Sequence, residues 1–413
     1  MRSWPSVSIP PTNESISHQQ LALFDSYLQR PVLISQKPTS LYVCGITPYD
    51  ATHLGHAATY VAFDLINRYL KIAYGRSWFV ENITDIDDPL LERAARDHQD
   101  WKDLAHSQID LFCSDMTALR VLPPDAYKGV VESMGEIITL VQEHIDSGMT
   151  YSLDGDFYLD LRKIPLALNQ LPYDESRCVE IFRERGGDPD RTGKSHPLDP
   201  LLWRAARSGE PEWKAPFGTG RPGWHVECVA IALKNRSLPF TEHETSITIQ
   251  GGGSDLIFPH HFMTATQSES LQGRKFAQAY VHAGMIGLDG EKMSKSKGNL
   301  VFVSKLIGEG VEPTAIRTAL MLEHYQKDRM WNREKLDFAI RFVARMRSAL
   351  SREVVAPTAT LVQNIADALA NNLDTPSIFA LLEEWCQRTE SGENGGSAGE
   401  LSRALDAYLG LAF

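Results

Sequence analysis

Two histidines three residues apart, in His53-Leu54-Gly55-His56, precede by about 240 residues a lysine-serine run, Lys292-Met293-Ser294-Lys295-Ser296. On the first turn of a helix, two imidazoles at this spacing can both face the phosphates of a nucleotide. Two lysines from elsewhere in the chain can then neutralise charge growing on a departing pyrophosphate. Either motif alone reads as an ordinary helix start or a solvated loop. In this order they make a split nucleotide-activating site, and the chemistry implied is adenylation of a carboxylate by Mg-ATP. Three further residues carry soft or borderline donors: Cys44, Cys228 and His260. They suit a Zn²⁺ ion with one open position. Their spacing is no local finger, and two core cysteines with a surface histidine fit it as well.

These residues need a frame that draws them together. Leu41-Tyr42-Val43 reads as a short buried strand, Ala57 to Ala73 has helical periodicity, and Ser77 to Ile83 is rich in β-formers, giving β-α-β. Ser246 to Gln250 is again strand-like and runs into Gly251-Gly252-Gly253-Ser254-Asp255; a helix from about Pro259 and a strand Ala279 to His282 follow. The glycines can let backbone approach a ligand. The expected fold is α/β, a split Rossmann-like sheet interrupted by an inserted domain and followed by a helical one. The divisions are an N-terminal extension (1–36), first catalytic half (37–90), inserted domain (91–210), second catalytic half (211–305) and C-terminal helical domain (306–413). In the extension, Leu21 to Phe24 reads as one helical turn. Between the halves, helices are expected at Leu90 to Asp97, Trp101 to Leu119 and Gly129 to Ser147, with a short strand pair from Asp154 to Leu161.

The 413 residues, 43% of them hydrophobic, can bury two or three cores. A formal charge of -12 argues against a broad nucleic-acid surface. Without a long apolar run or a signal-like start, the expectation is a cytoplasmic protein with no membrane contact. Five scattered cysteines (Cys44, Cys113, Cys178, Cys228, Cys386) form no disulfide pattern, which leaves metal binding or burial.

Cys44-Gly45-Ile46-Thr47-Pro48-Tyr49-Asp50 with the HxGH run, Asn82-Ile83-Thr84-Asp85, Gly223-Trp224-His225-Val226-Glu227-Cys228, the glycine triplet with Pro259-His260-His261, and Lys292 to Ser296 together resemble the catalytic core of class I cysteinyl-tRNA synthetases. The resemblance covers roughly residues 40 to 305. It implies one zinc per chain on Cys44, Cys228 and His260, reading the thiol of cysteine. It further implies that His53, His56, Lys292 and Lys295 act on the phosphates. Gly45, Ile46, Thr47, Thr59, Asn82, Ile83, Thr84, Gly253, Ser254 and Ile286 would surround the adenylate, with Trp224 as a wall of the cysteine pocket. Asp255 is the candidate for holding an ammonium group or accepting a proton.

Two departures point to a relative. Where the synthetases place a glutamate four residues after the first histidine, this chain has Thr264, and the helical tail shows no obvious anticodon-reading domain. The chain resembles the cysteine ligase family of mycothiol biosynthesis, whose signature matches Glu184-Arg185-Gly186-Gly187-Asp188-Pro189. That resemblance implies an acceptor amine on glucosaminyl-inositol instead of tRNA, only small-molecule substrates (ATP, L-cysteine and the amino sugar), and a monomer.

Overall fold

A computed structural model describes residues 1–413 except 36–37, 166, 237–244, 289 and 294–297, and leaves the side chain of Lys292 undescribed. Its centre is a five-stranded parallel sheet in the order Lys275–Ala283, Thr245–Gly253, Thr39–Val43, Ser77–Ile83, Ala126–Gly129. The middle strand joins distant stretches of sequence: Leu41 lies opposite Phe79 on one side and Ile249 on the other. Ser40 and Thr248 exchange backbone N–H to hydroxyl bonds of 2.9 Å across that junction. A parallel sheet is covered on both faces. Leu41, Val43, Phe79, Ile83, Ile249 and Val281 pack on the helix Leu54–Tyr74. On the opposite side Tyr42 and Val80 pack with Val226 and Val229 of the helix Trp224–Asn235 and Phe262 of the helix Phe262–Gln272.

The Leu54–Tyr74 helix begins and ends for local reasons. His53 caps it, its Nδ1 accepting the Gly55 N–H at 3.1 Å, and Gly75 closes it in the left-handed conformation that glycine adopts without steric cost. Fourteen of its 21 residues are buried, and truncating one of the larger aliphatic ones would cost about 2–5 kcal/mol.

Three local expectations are corrected. Leu21 to Phe24 is no helical turn. Ala22–Asp25 is a strand paired antiparallel with Arg30–Leu33, and Asp25 fixes the connection by accepting the N–H groups of Tyr27 and Leu28. The same carboxylate takes the Tyr280 N–H at 2.9 Å, so the hairpin covers the edge of the main sheet. The helix expected from Gly129 starts at Met134, because Ala126–Gly129 is the outermost sheet strand. The helix expected from Pro259 begins at Phe262, after a wide turn over Ile257–His261. Phe258 is extended there, at φ -138 and ψ 137, as a residue before proline prefers.

Between the catalytic strands lies a four-stranded antiparallel sheet of Thr150–Leu153, Asp156–Leu159, Leu201–Ala205 and Gly220–Pro222. The stretch between the catalytic strands also holds helices over Asp88–Arg96, Trp101–Ala118, Met134–Asp146 and Glu175–Glu184, of which Trp101–Ala118 packs through Phe112 on Tyr60 of the Leu54–Tyr74 helix. From Val303 onward the chain is mostly helical, ending in Arg333–Leu350, Ala359–Ala370, Thr375–Glu390 and Ala398–Leu409.

Candidate active site

Ligands of open parallel sheets bind beyond the carboxyl ends of the strands, and the candidate residues gather there. Cys44 directly follows its strand, its N–H bonded to the Gly251 carbonyl at 3.1 Å. Cys228 comes from the first turns of the Trp224–Asn235 helix, and His260 from the wide turn. The ligand atoms of these three buried residues lie within 4.8 Å of one another, the only such group of three or more histidine, cysteine or acidic side chains among the described residues. His260 Nε2 is 3.2 Å from Cys228 Sγ, while its Nδ1 is 2.9 Å from His225 Nδ1. Hydrogen bonding from Cys44, together with burial, pushes the Cys228 thiol well above its ordinary range, and burial holds the His260 imidazole well below its own. Two sulfurs and a neutral imidazole, desolvated and close, are a donor set for a thiophilic dication, whose charge would favour the thiolates.

Three histidines that sequence reasoning left without a role complete this corner. His261 Nε2 lies 3.2 Å from Cys44 Sγ, its Nδ1 lies 2.7 Å from His282 Nε2, and His282 Nδ1 lies 2.8 Å from the Ser26 hydroxyl. His225 braces His260 from the other side. The available signal was positional, since His282 is the next-to-last residue of its strand and lies opposite Gly252 in the same parallel sheet. Thr264 is buried and donates its hydroxyl to the His260 carbonyl at 2.7 Å, so it steadies the turn and offers no carboxylate.

Around this corner the walls are tight. Tyr42 and the Gly45 N–H both donate to Asn82 Oδ1, at 2.9 and 3.1 Å, and Asn82 Nδ2 donates to Thr84 Oγ1 at 3.2 Å. A Cβ at position 45 would stand 1.6 Å from the Asn82 carbonyl oxygen, which restricts the position to glycine. Ile46 accepts the Thr84 N–H, and Ile83 and Ile286 are core. Trp224 is half-buried and stacks on the His260 ring at 4.3 Å. Thr59 bonds back to the Gly55 carbonyl, and its hydroxyl lies 4.0 Å from where a Cβ on Gly253 would stand; Thr47, Thr59, Ser254 and Asp255 are all half-buried.

The HxGH run is joined through backbone to the segment that follows the second nucleotide motif. His53 and His56 stack at 3.9 Å on the start of the helix, whose first turn holds no acidic residue, an arrangement that suits an anion. Leu54 N–H bonds the Val301 carbonyl at 2.9 Å and Val303 N–H bonds the Thr52 carbonyl at 3.2 Å, which ties the HxGH run to the segment just beyond Lys292 to Ser296. Lys292 itself lies on a two-residue strand paired with Ile286–Leu288. Lys295 lies outside the described residues.

A family described as "tRNA synthetases class I (C) catalytic domain" matches residues 31–341. The L-cysteine:1D-myo-inositol 2-amino-2-deoxy-alpha-D-glucopyranoside ligase of Gordonia bronchialis is 49% identical, with 100% of this chain and 99% of that protein covered. The ligase of the same name from Streptomyces coelicolor is 48% identical over the whole of both chains. Among solved structures, Mycobacterium tuberculosis methionyl-tRNA synthetase with methionyl-adenylate superposes with a TM-score of 0.62 over 91% of this chain and 88% of that one, at 18% identity, a likeness of fold. The chain therefore belongs to the L-cysteine:1D-myo-inositol 2-amino-2-deoxy-alpha-D-glucopyranoside ligase family, on a class I synthetase fold.

Proposed function

We propose that this protein joins L-cysteine to the amine of glucosaminyl-inositol in two steps. Cysteine and ATP give cysteinyl-AMP and pyrophosphate; the sugar amine then attacks the acyl carbon and AMP leaves. The observation that carries the reading is the full-length similarity to ligases of that name, in a chain whose buried Cys/Cys/His group adjoins the HxGH helix. In this reading Cys44, Cys228 and His260 hold one Zn²⁺, which supplies a preference for a thiol over the hydroxyl of serine. Such a mismatch can discriminate by ~10⁴ or more without an editing site.

The chain's own residues do the rest. His53 and His56 hold the α-phosphate region of the Mg-ATP substrate at the helix start, and Lys292 and Lys295 neutralise the β and γ phosphates. Gly45, Ile46, Thr47, Thr59, Asn82, Ile83, Thr84, Gly253, Ser254 and Ile286 cradle the adenylate, and Trp224 walls the cysteine pocket. Asp255 holds the ammonium group or receives the proton of the attacking amine. The divisions 1–36, 37–90, 91–210, 211–305 and 306–413 serve as extension, catalytic halves, insertion and tail, with Ala126–Gly129 passing back from the insertion into the sheet. The enzyme acts in the cytoplasm as a monomer on small molecules, without nucleic acid or membrane. Among the described residues no helix is long and apolar enough to cross a membrane.

The test is to incubate the protein with ATP, cysteine and either glucosaminyl-inositol or tRNA and to weigh the products. Cysteine amide-linked to the sugar, with AMP and pyrophosphate released, is expected. Transfer to the 3′ end of tRNA at an equal or higher rate overturns the reading in favour of a synthetase.

A further inference from the structure

The run Glu184-Arg185-Gly186-Gly187-Asp188-Pro189 has no part in the steps above, yet the fold builds it firmly and points it at the site. The helix Glu175–Glu184 ends with Arg185 as its cap, and Gly186 turns the chain at φ 83, in the left-handed region. A Cβ on Gly187 would lie 2.5 Å from the Phe182 ring, so backbone packs directly on that aromatic. Asp188 accepts from Lys194 Nζ at 2.9 Å and from the Tyr158 hydroxyl. The Lys194 side chain is 2% exposed and its ammonium stands over both the Phe182 and Tyr158 rings. Arg191 closes the arrangement by bonding Asp156 and the Tyr158 hydroxyl. A turn fixed on so many sides holds whatever it presents.

It presents Arg185, whose Nη1 donates to the main-chain carbonyl of Asp255, at the end of the Gly-Gly-Gly-Ser-Asp run. The arginine is half-buried. Among the described residues that carbonyl is the only acceptor its guanidinium meets. A guanidinium carries five N–H groups in a planar fork, so most of its donors remain available beside Asp255. A phosphate contact is one use for such a group, but the phosphates are assigned above to His53, His56, Lys292 and Lys295. Arg185 instead stands at Asp255, the residue assigned to the amine. A cyclitol offers pairs of neighbouring hydroxyls that a planar fork can bridge.

We propose that Arg185 recognises the acceptor: one N–H holds the Asp255 carbonyl in place, and the remaining guanidinium edge binds adjacent hydroxyls of the inositol ring. This deepens, and rests on, the function proposed above. The test compares Arg185→Ala and Arg185→Lys with the unsubstituted enzyme in cysteine-dependent ATP–pyrophosphate exchange and in ligation to glucosaminyl-inositol or to glucosamine, which lacks the cyclitol. Both substitutions should raise the KM for glucosaminyl-inositol, by about 10- to 100-fold for Ala, the scale of lost charge-assisted hydrogen bonds. Lys keeps the charge but not the fork, so it should rescue only in part. The ratio of ligation to exchange should fall with glucosaminyl-inositol and stay level with glucosamine. An unchanged KM, or exchange falling in parallel with ligation, would overturn the proposal by assigning Arg185 no role or a general structural one. Exchange without any ligation to glucosaminyl-inositol by the unsubstituted enzyme would overturn the functional reading, and this proposal with it.

Discussion

Cys228 shows what a single residue contributes and how far it was readable. It lies 184 positions from Cys44 and 32 from His260, as their numbers give, so no local pattern marks the three as a set; the resemblance to cysteine-activating enzymes did. The fold supplies the reason they converge, since the sheet is closed only when Thr39–Val43 pairs with Thr245–Gly253. His225, His261 and His282 were missed because a histidine in a buried element reads as core until its neighbours are known. Replacing Cys228 with Ala should reduce bound zinc from one per chain to nearly none, as metal analysis would read, while the far-ultraviolet circular dichroism stays native. Full zinc occupancy in that variant would sink the ligand assignment.

Elements were legible in proportion to their length. Ser77 to Ile83 has the observed bounds, and the long helices emerged with ends displaced by a few residues. Ala126–Gly129 escaped because four residues carry no usable period. The helix Met134–Asp146 conceals a different feature, His144 on its buried face. Neither ring nitrogen finds a hydrogen-bond partner among the described residues, and burial pushes the imidazole down to about 4. The unfolded chain, with an ordinary pKa of about 6.5, therefore binds a proton that the folded chain refuses. Stability from this residue is complete above about pH 6.5 and declines as pH falls towards 4. Between pH 7 and 5 the loss should be about 2 kcal/mol. His144→Leu should remove that part of the slope in urea unfolding curves at the two pH values. Parallel slopes for variant and parent would refute the assignment.

At the scale of the molecule, one buried charge cluster ties regions that the sequence shows as separate. Asp64, inside the HxGH helix, is bonded by Arg68 at 2.7 Å and by Arg317 from the helix Pro313–Met321. Burial alone would raise the Asp64 pKa, but the two guanidinium groups and the Leu122 N–H outweigh it and hold the carboxyl below its ordinary value. Arg317 also donates to the carbonyls of Leu119 and Leu409, both at 2.7 Å, and Arg68 donates to that of Asp406 at 2.9 Å. An arginine in Ala315-Ile316-Arg317-Thr318 reads as a solvated helix charge, so nothing in the sequence announced this junction. Removing one member of a buried ion group leaves the others uncompensated. Arg317→Met should thus cost about 3–5 kcal/mol in chemical denaturation. A cost below about 1 kcal/mol would mean the cluster holds little together.

The pairing of Leu41 with Ile249 also sets a schedule for the growing chain. Roughly 200 residues separate the central strand from the partner on its second side, and synthesis at about 5–20 residues per second inserts a delay on the order of 10–40 s before that partner exists. Through this interval one edge of Thr39–Val43 is an open apolar template for other chains. Nascent protein should therefore be far more prone to aggregate than the finished molecule, and slow translation between the two halves should lower its yield.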